Sequence, residues 1–105
     1  MEKMITDIEL LPKAKQESIK RDIENRILKK ARTVFEDTPE KFSKYIENEI
    51  ENAVKCKNEM IDESQRKGLN VSEIHNISVV YVFNKERIAA LKRLRTNLLK
   101  EVMII

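Results

Sequence analysis

The chain has 105 residues and 12.4 kDa, with 41% hydrophobic residues, 37% charged residues, one Gly, one Cys and a formal net charge of +3. This length sets one domain, whose compact form exposes about 6,100 Å² and buries about two-thirds of the unfolded surface. Collagen-like, disulfide-framed and low-complexity chains are excluded, no Gly-rich phosphate loop can be written, and ample periodic apolar residues argue against disorder.

The opening stretch MEKMITDIELLPKAKQ mixes acids with apolar residues and carries neither a signal-peptide core nor a small-residue cleavage site. A short helix is expected from Glu2 to Leu10, with Ile5, Ile8 and Met4 or Leu11 on one face. Pro12 ends or kinks it, because the residue before proline is pushed out of the helical region. Next, Ile19, Ile23, Ile27 and Ala31 recur every four residues, widened by Leu28, Val34 and Phe35. That pattern predicts an amphipathic helix from about Glu17 to Phe35.

Glu36-Asp37-Thr38-Pro39-Glu40 punctuates the chain. Thr38 is placed to cap orphan amides, Pro39 suits a first helical position, and Glu40 favours the positive end of the helix dipole. A long helix follows, with Phe42, Tyr45, Ile46, Ile50, Ala53, Val54, Met60 and Ile61 inward. Gly68 after Arg66-Lys67 reads as its C′ stop, with Leu69 supplying the apolar contact.

The last segment contains Val79-Val80-Tyr81-Val82-Phe83, a strand-like composition that is also the longest apolar run, at five residues. Nothing nearby offers a pairing strand, and an isolated strand would leave its backbone polar groups unpaired. Ile74, Ile77, Tyr81, Ile88, Leu91, Leu98, Val102 and Ile105 continue a seven-residue pattern, so one long helix is predicted, beginning near Ser72 or Ser78. Val79, Val80, Phe83, Leu94, Leu99 and Met103 lie beyond that seam. A helix this apolar on several faces implies a partner chain. The fold class expected is therefore all-α, a single bundle of three to four helices with a long C-terminal helix.

Catalytic chemistry finds little support. His75, the single histidine, sits near a helix start and reads as a polar first-turn residue rather than a base or ligand. Cys56, flanked by Lys55 and Lys57, reads as an inert thiol of a reducing compartment. Glu47, Glu49 and Glu51 are spaced by two and splay around a helix, so no metal or cofactor is expected. The charge is uneven: residues 1–83 balance to −1, whereas residues 84–105 carry six cations against Glu86 and Glu101. Lys85, Arg87, Lys92, Arg93 and Arg95 spread around the helix among apolar residues. That interleaving favours partial burial with ion pairing over a dedicated nucleic-acid surface.

The run Asn84-Lys85-Glu86-Arg87-Ile88-Ala89-Ala90-Leu91-Lys92-Arg93-Leu94-Arg95-Thr96 resembles the signature helix of the Psf-one-type subunit of GINS. That family's pattern is N-K-R-C, two aliphatics, A-Y-x-R-L-R, often followed by Thr. Asn84, Lys85, Ala90, Arg93, Leu94, Arg95 and Thr96 match it, and Leu11-Pro12 leading toward Ile19-Lys20 and Ile23-Glu24 is similar to the family's early Leu-Pro element. Glu86 stands where the family has a basic residue, and Leu91 where it has an aromatic. Relatives carry a small C-terminal β domain with docking functions, and the resemblance implies a trimmed version holding only part of the helical domain.

The resemblance implies a nuclear, non-enzymatic scaffold subunit, a hetero-oligomer with other GINS subunits, the MCM helicase ring and its Cdc partner, acting in DNA replication initiation and elongation. Contact with DNA would be indirect or weak, and no membrane is involved. Ile77, Tyr81, Ile88, Leu91 and Leu98 would form the main seam of the partner interface, which also takes in Arg87 and Leu94, with Asn84, Arg93 and Arg95 fixing register. Two rivals remain: a small basic helical nucleic-acid-binding protein, and a coiled-coil homo-oligomer built on the same seam.

Overall fold

The computed structural model describes residues 4–104, with side chains described through residue 101. An extended opening leads to a single 3-10 turn (Ile8–Leu10), then α1 (Lys13–Asp22), a π-helical segment (Ile23–Leu28), α2 (Lys29–Asp37), α3 (Pro39–Ser64) and α4 (Val71–Ile104). No strand occurs among the described residues, so the molecule is an all-α bundle with a long C-terminal helix. Helical backbone angles persist through Asp22, Leu28 and Lys29, making α1, the π segment and α2 one continuous rod.

The π segment explains a sequence pattern that an α-helix alone would not satisfy. At 3.6 residues per turn, a four-residue step overshoots by about 40°, so three such steps drift by about 120°. A π turn closes five residues on and makes a four-residue step undershoot instead. The drift is thereby corrected, and Ile19, Ile23 and Ala31 all end up buried.

α2 turns directly into α3 through Thr38, where Phe35 and Phe42 meet edge to face with ring centres 5.1 Å apart. Pro39 takes the first helical position as predicted, but Thr38 does not cap α3. Its Oγ1 instead donates to Val34 O at 3.3 Å, finishing the preceding helix. α3 ends at Ser64 with Gln65 as its C-cap, so Gly68 is not the expected C′ stop; it turns the chain further on at φ +82°, a left-handed conformation costly for any residue with a Cβ. Asn70 then starts α4, its Oδ1 accepting the Glu73 N–H at 2.8 Å, a few residues before the predicted serine caps.

α4 lies between two apolar clusters. On one side Leu91 and Leu94 pack with Ala31 of α2 and with Phe42, Ile46 and Ile50 of α3. On another, Val82 and Ala90 pack with Leu11, Ile19 and Ile23. Ile46, Val82 and Leu91 are fully enclosed, each burial stabilising by about 1.5–3 kcal/mol.

The expected opening helix from Glu2 to Leu10 is not what forms. Its first residues lie outside the described range, and the rest runs extended into one 3-10 turn. A stretch this short cannot nucleate a helix cheaply, and its backbone finds a better partner. The Ile5 N–H donates to the buried Ser78 Oγ at 2.9 Å, laying residues 5–11 as a strap along α4.

The molecule measures 54 × 26 × 19 Å and exposes 7529 Å², more than the figure of about 6,100 Å² for a compact globule of this mass. α4, at 34 residues and about 51 Å, sets that length. α3 has 26 residues and spans about 39 Å, so α4 outruns it.

Candidate functional site

The segment 84–96 sits in the middle of α4, where neighbours approach from several sides. Its cations divide into two groups. Lys85 and Arg87 are engaged inside the chain. Lys85 Nζ donates to Thr6 O and Asp7 Oδ1, both at 3.0 Å, pinning the strap. Its hydrogen bond to Asp7 holds the Lys85 ammonium above the ordinary lysine range. Arg87 Nη2 reaches Glu49 Oε2 on α3 at 2.6 Å, with both side chains largely buried. Arg87 Nε is buried with no hydrogen-bond partner. Beside this pair, burial and then the Glu49 carboxylate push the Tyr45 phenol above its usual value, against an opposing pull from Arg87.

Lys92 and Arg93 form the second group and are exposed. Neither is in an ion pair among the described residues, nor is half-buried Arg95. Arg93 edges a groove of about 200 Å³ beside the π segment, facing Lys20, Glu24, Leu28 and Glu86. Positive charge there is offset by the two carboxylates, so the groove is not a one-sign anion site.

The expected interface residues require correction. Leu91 and Leu94 are buried against α2 and α3, and Asn84 is buried with its Nδ2 donating to Val80 O of its own helix at 2.9 Å. No partner can touch surface that is already enclosed. Ile88 and Leu98 flank the same cluster, and Tyr81 flanks the cluster under the strap. Ile77 lines a small hollow with Met4, Leu69 and Ile74 at the α3–α4 turn. Of the predicted seam, Leu91 is internal, whereas Ile77, Tyr81, Ile88 and Leu98 are half-buried. The strap covers part of the second apolar face that had implied a partner chain.

What remains open lies elsewhere on α4. Among the described side chains after the helix start, Val80 and Leu99 are the large apolar residues that stay exposed, at 42% and 47%. Val80 joins Val79, Phe83 and Ile19 in a groove of about 230 Å³ between α1 and α4, rimmed by Lys15, Asp22 and Arg26.

His75 is exposed near the start of α4, and Cys56 is a half-buried free thiol on α3. No group of three or more His, Cys, Asp or Glu that could hold a metal occurs among the described residues. No helix of the described chain is long and apolar enough to cross a membrane.

Glu49 as the partner of Arg87 was missed, although a signal existed: the two residues lie nineteen positions on either side of Gly68. Residues equidistant from the turn of a helical hairpin face one another. No protein family, curated protein or solved structure matches the chain.

Proposed function

We propose that the chain is a non-catalytic scaffold acting by helix packing, a subunit of a GINS-type assembly of the replicative helicase. The observation that carries the packing reading is the open apolar groove between α1 and α4. There Val79, Val80 and Phe83 remain accessible immediately before the segment 84–96. Exposed Val80 beside half-buried Val79 and Phe83 offers a neighbouring helix an apolar contact. The GINS part rests on the residues of 84–96 that resemble the Psf-one pattern.

The test is affinity purification of the tagged chain from its native cells, followed by mass spectrometry. Recovery of GINS sisters and MCM proteins, lost on Val80→Glu with helicity unchanged, supports the reading. Recovery of neither overturns it.

Exposed Lys92 and Arg93 favour a second reading, weak nucleic-acid binding. Because Lys85 and Arg87 already hold internal acids, few phosphate contacts are left and the salt dependence should be shallow.

A further inference from the structure

α3 is covered unevenly. Its first half packs under α2, but beyond Ile50 a shallow groove of about 550 Å³ opens along the helix. Ile50 and Val54 line its apolar part, and Glu51, Glu59 and Asp62 oppose the single cation Lys55. None of those three acids is in an ion pair among the described residues. The groove therefore suits a helix with an aliphatic stripe flanked by Lys or Arg.

The far end of the molecule carries a helix with one exposed aliphatic residue, Leu99, set among cations. The Arg87–Glu49 pair sets the hairpin register, which places the start of α3 opposite residue 97 of α4. Residues beyond it run past α3. Exposed Leu99 stands there beside Lys92, Arg95 and Lys100, and none of these cations is in an ion pair among the described residues. Residues 92–101 carry four cations against Glu101. Like charge excludes this end from its own kind, whereas the acidic groove accepts it.

We propose that the α3 groove receives the C-terminal end of α4 from a second copy of this chain. Leu99 sits against Val54 at the edge of buried Ile50, and Lys92 and Lys100 meet Glu51, Glu59 and Asp62. The two surfaces are different and lie at opposite ends of the bundle, so the contact is head to tail. Such an interface does not close at a dimer unless the rotation forms a ring. This inference is independent of any GINS sister, because it needs no chain but this one.

The experiment is sedimentation velocity of the purified full chain over a wide concentration range in low and high salt. The expected result is a sedimentation coefficient that climbs with concentration at low salt and collapses toward the monomer at high salt. Glu59→Lys with Asp62→Lys, or Lys92→Glu with Lys100→Glu, should each weaken association by about tenfold or more. Combining all four reversals should restore it. Leu99→Ser supplies a weakening that does not depend on charge. All these side chains are exposed, so circular dichroism should stay constant. A monomer at every concentration, association indifferent to the reversals, or failure of the combined variant to recover would overturn the proposal.

Discussion

Arg87 Nη2 stands 2.6 Å from Glu49 Oε2, tying the middle of α4 to the middle of α3 with 16% and 26% of the two side chains exposed. Taking away one partner leaves a largely desolvated charge, whereas replacing both by apolar groups of similar size leaves none. Glu49→Ala should destabilise by about 2–3 kcal/mol, less than a fully buried pair because some solvent reaches it. Glu49→Met combined with Arg87→Met should recover most of that loss. Urea midpoints of the three proteins check both statements.

The same cluster sets an alkaline limit. Tyr45 has a folded pKa raised above its ordinary 10.0, so its contribution is fully present below that value and is lost as pH rises through the folded pKa. Lys85, raised above its ordinary 10.5 by Asp7, acts in the same direction. Stability should therefore fall above about pH 10. Tyr45→Phe should flatten part of that decline when urea midpoints are followed from pH 9 to 11.

Leu91→Ala empties space at the junction of α2, α3 and α4, where Leu91 is fully enclosed. A loss of about 2–5 kcal/mol is expected from lost transfer energy and the residual cavity. Leu99→Ala, on exposed surface, should change stability by less than about 0.5 kcal/mol. Parallel thermal melts separate the two positions.

The π segment makes a prediction about chain length. A π turn is an α-helix with one residue too many. Deleting exposed Asn25 should let the rod close as plain α-helix, with the buried residues on both sides kept in place and most helicity retained. Deleting exposed Asn52 from the regular α3 should instead rotate everything after it by about 100° and unfold the bundle. Circular dichroism melts of the two deletions should differ plainly.

Ser78→Ala leaves the Ile5 N–H without its acceptor at a buried site. The cost should be about 1–3 kcal/mol, concentrated on the strap. Amide exchange at Ile5 should accelerate far more than exchange in the middle of α3.

Much of the fold was legible because local signals agreed with one another. Pro39 after Thr38, the inward stripe of α3 and the turn at Gly68 each specify the same hairpin, although α3 stops at Ser64, short of the expected end at Gly68. The run Val79–Phe83 was readable as helix only by asking where a strand would find its hydrogen bonds. The strap was not legible: Ile5, Ile8 and Leu11 share a face in any helix-like reading, and what decides otherwise is the Ser78 hydroxyl, distant in sequence. The candidate site failed in a similar way. Periodicity shows that Leu91 belongs to a seam, but it cannot tell a neighbour within the chain from one outside it. The four-residue spacing of Ile19, Ile23, Ile27 and Ala31 did carry the π segment, since a plain α-helix would have turned it away.

The strap also imposes an order on how the molecule comes together. Residues 5–7 are synthesised well before their hydrogen-bond partners Ser78 and Lys85, which lie more than seventy positions later. Closing so long a loop is entropically slow, while the turns joining the rods are short. On a translating ribosome these residues must therefore wait, unsheltered, until the first part of the final helix, through Lys85, has emerged to receive them.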